Sequence, residues 1–218
     1  MGRAVCFAVG LGLPVAALAR VVRAPASPFL RVDELAIRAA TDVTRAHPAL
    51  HSALLVWQTA FQARWVNLVG TGVCVWVWRR HGLTARARWA FITLMASWNI
   101  GLVVKLLVAR TRPVVEDAVV HAPGYSFLSG HATNTAAAGL TLTLLVWPLL
   151  GRRGRIVVPG VTGAAVVVTG LDRVYLGAHY PSDVVAGITL GCAMAGASYL
   201  GYLGRRPTTP ADDVKGLP

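Results

Sequence analysis

Charge is scarce in this chain. Only 14% of its 218 residues are charged and nine are acidic, whereas 55% are hydrophobic, and the mean hydropathy is +0.57. A charged share that low excludes an ordinary soluble globular domain. Cysteine is scarce too. Cys6, Cys74 and Cys192 each sit in a different apolar run without paired spacing, which excludes a disulfide framework and a zinc site and leaves them as small packing residues. No aspartate-rich stretch or histidine pair at ligand spacing points to a metal, and no cofactor motif is present. The net charge of +12 arises from short basic clusters between apolar runs, not from a basic stripe with interleaved aromatics. That pattern excludes nucleic acid as a partner.

What the chain has instead is long apolar runs. A spanning helix needs about 17–25 mostly apolar residues, and runs near that length recur at about 4–19, 65–78, 89–109, 132–150, 156–171 and 184–204, the shorter ones extended by snorkelling of flanking arginines. The pattern predicts an all-α, polytopic membrane protein: one membrane-embedded domain over 1–204 built as a bundle of six transmembrane helices. Residues 20–63 mix charge with apolar residues at helical spacing and read as interfacial amphipathic helices after the first span. Trp57, Trp65, Trp76, Trp78 and Trp89 read as an aromatic belt. The tail 205–218 reads as disordered and cytoplasmic. The first run, ending in Ala17-Leu18-Ala19, fits both an uncleaved anchor, the favoured reading, and a cleaved secretory signal.

Arginines orient the bundle. Arg3, the loop 79–88, the stretch 151–155 and Arg205-Arg206 fall on one side if the spans alternate, and positive short loops mark the cytoplasm. The expected location is therefore a multi-pass plasma-membrane protein with its C-terminus inside. Residues 20–63, 110–131 and 172–183 then share the extracytoplasmic face.

Three charged clusters lie near the membrane there, where ionisable groups are functional candidates. Lys105 and Arg112 are two helical turns apart, on one face if the third span continues so far. Taken alone they are also two snorkelling residues at a helix end. Ser129 can cap the helix that follows, leaving the Gly130 and His131 amides free for an anion, with His131 able to exchange a proton. Alone, this is ordinary cap chemistry. Asp183 falls in the first turn of a helix opened by Pro181, with His179 just before it, so a carboxylate can fix one ring nitrogen and leave the other basic. Arg173 adds a planar fork suited to phosphate oxygens. Together the clusters compose a phosphate site on one membrane face.

These residues resemble the type 2 phosphatidic acid phosphatase family of integral-membrane lipid phosphatases, whose pattern is K-x6-R-P, P-S-G-H and S-R-x5-H-x3-D. Lys105-x6-Arg112-Pro113 fits the first motif fully, Ser129-Gly130-His131 fits three positions of the second, and Arg173-x5-His179-x3-Asp183 fits all but the leading serine of the third. Leu128 stands in place of the proline and Asp172 in place of the serine. The resemblance implies that His179 is the nucleophile, Asp183 its orienting carboxylate, and His131 the acid and later base. It implies that Lys105, Arg112, Ser129, Gly130 and Arg173 hold the phosphate. Asp172 becomes a modulator, either repelling phosphate or holding Arg173 in place.

The expected function is a metal-independent phosphatase that takes a lipid phosphate or diphosphate from the bilayer, such as undecaprenyl diphosphate, phosphatidylglycerophosphate or phosphatidic acid, through a phosphohistidine. Two other readings use the same residues: a phosphotransferase with an acceptor other than water, and a non-catalytic lipid carrier. The substrate's identity and the oligomeric state stay open at this level.

Overall fold

A computed structural model describes residues 2–23, 28–113 and 124–204. Its elements are eight α-helices, α1 Gly2–Val21, α2 Pro28–Ala46, α3 Pro48–Ala60, α4 Ala63–His81, α5 Thr84–Val108, α6 Gly130–Val146, α7 Gly154–Tyr175 and α8 Pro181–Leu203. No strand occurs among the described residues. The expected tail from Arg205 lies outside them.

Local chemistry sets several boundaries. Pro48 opens α3 at a position whose amide has no helical partner. Gly82, at φ 66°, closes α4 in the left-handed conformation that a residue without Cβ adopts freely. Ala109 takes the same region at φ 49° and ends α5. That end corrects one expectation: Lys105 lies in the last turn of α5, but Arg112 lies beyond the helix and shares no helical face with it. A second correction concerns Asp172 and Arg173. Helix α7 runs on to Tyr175, so both sit in its last turns and not in a connecting stretch.

Four helices, α1, α5, α7 and α8, are long and apolar enough to cross a membrane. Helix α6 has 17 residues. Helix α4 carries Arg64, Arg79 and Arg80 within its 19. By length and composition these two do not join the four.

Helix α6 is the axis, packed against α4, α5, α7 and α8. It is built from Ala, Thr and Gly over most of its length, and residues 132–138 are all buried. Its closest partner is α8, through Gly187 and Gly191, the small-xxx-small spacing that lets backbones approach. A Cβ on Gly191 would stand 2.5 Å from the Thr133 carbonyl oxygen, and one on Gly187 would stand 2.8 Å from that of Ser129. Such contact brings the first turns of α6 and α8 together.

At the other end Cys74, Val77, Trp89, Ala90, Leu94, Ala138 and Leu145 form an apolar cluster. Trp89 is therefore core and not part of an outward belt; its Nε1 donates to Ser198 Oγ at 2.8 Å. Arg86 also leaves the loop where its sequence neighbours suggested it lay. It is buried on the first turns of α5 and donates to the Leu144 carbonyl at 2.7 Å.

Helices α2 and α3 pack on α7, and α2 also on α8. Asp33, Ile37, Ala40, Thr41 and Thr44 form one buried stripe of α2 at helical spacing. Thr44 ties it to α7, donating to the Tyr175 carbonyl at 2.8 Å.

Candidate active site

His179 lies in the tight connection between α7 and α8. Gly177 turns the chain at φ 69°, and the amides of Ala178 and His179 donate to the Arg173 carbonyl at 3.0 and 3.2 Å. The histidine is thereby fastened to the last turn of α7. It is 3% exposed. Its Nδ1 stands 3.8 Å from Asp183 Oδ2, longer than a hydrogen bond, and has no partner among the described residues. Its Nε2 lies 3.4 Å from Arg112 Nη1. Arg112 is itself held by the Ala178 carbonyl at 2.7 Å and the Gly124 carbonyl at 3.1 Å. Burial pushes the His179 imidazole down to about 4; Lys105 and Arg112 push the same way, while Asp183 opposes them.

Asp183 is fully buried and occupied on both oxygens. Oδ1 accepts from Arg110 Nη1 at 2.7 Å. Oδ2 accepts from the Tyr180 amide at 3.0 Å and from the Ser126 hydroxyl. Arg110 is shared: its Nη2 meets Asp33 Oδ2 at 2.9 Å and its Nη1 donates to Ser182 Oγ at 2.8 Å. Asp33 also accepts from the Ser182 amide at 3.0 Å and from its hydroxyl. The Arg110 guanidinium covers the Tyr180 ring, 4.1 Å from its centroid. One buried arginine thus bridges two buried carboxylates, with hydrogen bonds satisfying the oxygens around it, as such a group requires.

Sequence reasoning missed this network. Arg110, Asp33, Ser126 and Ser182 belong to no motif that it used. The available signal was Asp33, the one charged residue on the buried stripe of α2.

The α6 side is built differently. Ser129 caps the helix, its Oγ accepting from the Ala132 amide at 3.4 Å, and its own amide donates to the Asp183 carbonyl at 3.0 Å. That bond pins the Ser129-Gly130-His131 segment to α8. Gly130 is exposed, with nothing within 4 Å of a Cβ built there, so its amide is open to an approaching ligand. His131 Nε2 lies 3.2 Å from the Gln58 carbonyl oxygen of α3. Arg173 donates from Nε to Asp172 Oδ2 at 2.7 Å and from Nη2 to Gln58 Oε1 at 2.9 Å. Gln58, also missed from sequence, therefore roofs both motifs at once. Lys105, Gly130 and His131 border a cavity of about 220 Å³.

The residues singled out from sequence converge at one end of the bundle. His179 and Asp183 come together with Arg112, Ser129 stands against Asp183, Arg173 carries His179 on its carbonyl, and Lys105, Gly130 and His131 share the adjoining cavity. Asp172 is fully buried and turned onto Arg173. Among the described residues no three His, Cys, Asp or Glu side chains gather as metal ligands. The chemistry available is a buried neutral imidazole, a second imidazole, a helix N-terminus and a ring of cations.

The sequence profile of the PAP2 superfamily matches residues 86–207. Decaprenylphosphoryl-5-phosphoribose phosphatase of Mycobacterium tuberculosis is 37% identical over 119 residues, 53% of this chain and 58% of that protein. Phosphatidylglycerophosphatase B of Bacillus subtilis is 34% identical over 92 residues, 41% of this chain and 44% of that protein. The chain thus matches only 58% and 44% of the lengths of these two relatives. The crystal structure of a transmembrane PAP2-type phosphatidylglycerolphosphate phosphatase from Bacillus subtilis superposes with a TM-score of 0.78 at 23% identity, covering 94% of this chain and 100% of that one. It establishes the shared fold.

Proposed function

We propose that this chain, which belongs to the PAP2 superfamily, is a membrane-embedded phosphatase that hydrolyses a lipid phosphate or diphosphate through a phosphohistidine on His179, without a metal. The observation that carries this is the setting of His179: a buried imidazole held near neutral form, Nε2 beside a fixed guanidinium and Nδ1 facing an ionised carboxylate across 3.8 Å. A slight rotation turns that last distance into the hydrogen bond that holds the tautomer with Nε2 free to attack.

In the first step His179 Nε2 bonds to phosphorus as the bond to the leaving oxygen breaks, and His131 passes that oxygen a proton. In the second, a water loses its proton to His131, its oxygen bonds to phosphorus, and the P–N bond breaks, releasing phosphate. Lys105, Arg112, Arg173, the Ser129 cap and the Gly130 amide hold the phosphoryl oxygens, whose charge they stabilise best when it spreads in the transition state.

The bundle reads as six spans, α1, α4, α5, α6, α7 and α8, with α2 and α3 lying at the interface over the site. Helix α6 is short but is enclosed by its neighbours, and α4 keeps its arginines at its ends, where they snorkel. The arginines that end α4 and those of the connection before α7 support a reading in which the opposite, site-bearing end lies outside the cytoplasm. A reporter active only outside the cytoplasm should work when fused at Gly124 and fail at Gly151; the reverse result inverts the topology.

Phosphate release from a panel of lipid mono- and diphosphates, by protein purified in detergent with chelator present, tests the activity. Turnover should survive the chelator and yield to vanadate, which mimics the five-coordinate transition state. His179→Ala should abolish turnover and the acid-labile phosphoenzyme. Equal labelling of wild type and His179→Ala, or activity that requires an added divalent ion, defeats the reading.

A further inference from the structure

The cavity beside His131 continues past the phosphate-holding residues. Helix α6 starts at the site and runs away from it, and α5 arrives there at Lys105. The walls formed by Asn134 and Thr133 on α6 and by Gly101, Trp98 and Ser97 on α5 therefore lead down from the site along the bundle. Three of these residues are polar and almost wholly buried, Ser97 at 2%, Thr133 at 3% and Asn134 at 4% exposed. Thr133 has its hydroxyl committed to the Ser129 carbonyl at 2.7 Å. Asn134 has no such outlet: its Nδ2 is buried and meets no acceptor among the described residues. An unmade buried amide donor is unfavourable and uncommon. Here Asn134 lines a cavity whose deeper walls include Trp98, Leu102 and Gly101, with Ser97 among them.

We propose that this cavity is a leaving-group subsite, in which Asn134 Nδ2 donates to an acceptor oxygen of the substrate just beyond the scissile P–O bond. The inference rests on the hydrolase reading above and narrows its substrate class. Asn134 follows His131 by three residues, about 4.5 Å along the helix axis. With His131 at the leaving oxygen, the amide reaches atoms two or three bonds farther into the leaving group. A second phosphate carries oxygens there, as does a glycerol ester. A plain alkyl or prenyl monophosphate puts methylene groups there and leaves the donor unsatisfied. The site therefore selects lipids whose leaving group is polar at its head, and Ser97, on the facing wall, offers a second hydroxyl to the same group.

Matched substrate pairs test this. The specificity constant kcat/KM is measured for farnesyl diphosphate against farnesyl monophosphate, and for a diacyl phosphatidate against a long-chain alkyl phosphate. The first pair reports a second phosphate and the second an ester, so the two sources of the acceptor are told apart. In wild type at least one acceptor-bearing member should lead its partner by about tenfold or more, and Asn134→Leu should bring that ratio close to one. Asn134→Ala, which adds no bulk, repeats the measurement should the leucine variant not fold. Ratios near one in wild type, or a wild-type preference that both variants keep, overturn the subsite while leaving the hydrolase intact. A wild type that hydrolyses none of the four substrates overturns the hydrolase reading itself.

Discussion

The two sides of the site differ in how completely their polar groups are satisfied. On the α8 side Asp183, Arg110, Asp33, Ser126 and Ser182 exchange ion pairs and hydrogen bonds across two helices and the connection between α5 and α6. On the α6 side Gly130 faces open space, Asn134 holds an unmade donor among the described residues, and His131 Nε2 meets a carbonyl of the roof helix. A closed network holds its geometry whatever is bound, which suits the role proposed for Asp183 of fixing His179. An open side gains its partners from the substrate. Under the proposed mechanism, rigidity is thus concentrated behind His179, and capacity to accept is concentrated where the leaving group would sit.

The hardest way to break that contrast is to remove Arg110. Arg110→Met leaves two buried carboxylates without their cation, a loss of about 3–5 kcal/mol for a broken buried pair. The melting temperature in detergent should drop sharply and turnover should vanish with it. Lys105→Met, on the cavity side, should change stability by less than about 1 kcal/mol while reducing kcat/KM. Similar melting shifts for the two variants would erase the distinction between a closed and an open side.

A smaller effect is expected at the contact that sets the two sides against each other. Gly191→Ala puts a Cβ 2.5 Å from the Thr133 carbonyl oxygen and 2.9 Å from the Ala137 amide. Backbone atoms cannot rotate away, so α6 must shift, at about 1–3 kcal/mol for overpacking. Because Ser129 hangs from the Asp183 carbonyl, the shift should also lower kcat. A variant with wild-type melting and kcat would show that the close approach is not what registers the motifs.

How far the sequence foretold this depends on where the information lies. Lys105, Arg112, Ser129, His131, Arg173, His179 and Asp183 were legible as candidates because they stand at short motif spacings, and the fold brings them to one end of the bundle. Arg110 and Asp33 were not, since their bond joins positions 77 apart and neither local pattern announces the other. The end of α5 was illegible for another reason. Ala109 gives no turn signal of its own, yet it adopts the left-handed conformation that ends the helix before Arg112. Trp89 misled because an aromatic near a helix start suits both a membrane belt and a core, and only the packing of α4 against α5 decides.

Acidification probes the closed side without a mutation. An ordinary imidazole near 6.5 would be only about 3% neutral at pH 5, but His179, pushed down to about 4, keeps its nucleophilic neutral form there. Phosphoenzyme formation from an aryl phosphate should therefore lose less than about twofold to His179 protonation between pH 7 and pH 5. The sign for stability follows the same shift. The folded-state value lies below the unfolded one, so this contribution is complete above about pH 6.5 and is lost as pH falls through about 4. A steep acid limb centred near 6.5, removed by no other variant, would place His179 in a more solvated setting.

Among the substitutions the smallest expected effect belongs to Asp172, which stands where the family pattern has serine. Its Oδ2 receives both Nε and Nη2 of Arg173, and its Oδ1 has no partner among the described residues. A carboxylate turned onto the guanidinium neutralises part of the charge that phosphate needs, but it also fixes the fork while Gln58 holds the same Nη2. Two forces therefore oppose each other at one residue. Asp172→Ser keeps a hydrogen-bond acceptor and removes the charge. If the carboxylate mainly repels phosphate, KM falls; if it mainly aims Arg173, KM rises or kcat drops. The contact from Nε at 2.7 Å favours aiming, because Nε is the part of the fork nearest the helix and its restraint sets the direction of the two terminal amino groups. The expected outcome is a KM about threefold to tenfold higher on one lipid substrate, with melting changed by no more than about 1 kcal/mol. An unchanged kcat with a clearly lower KM would assign Asp172 to repulsion and move it from the fixed side of the site to the side that tunes affinity.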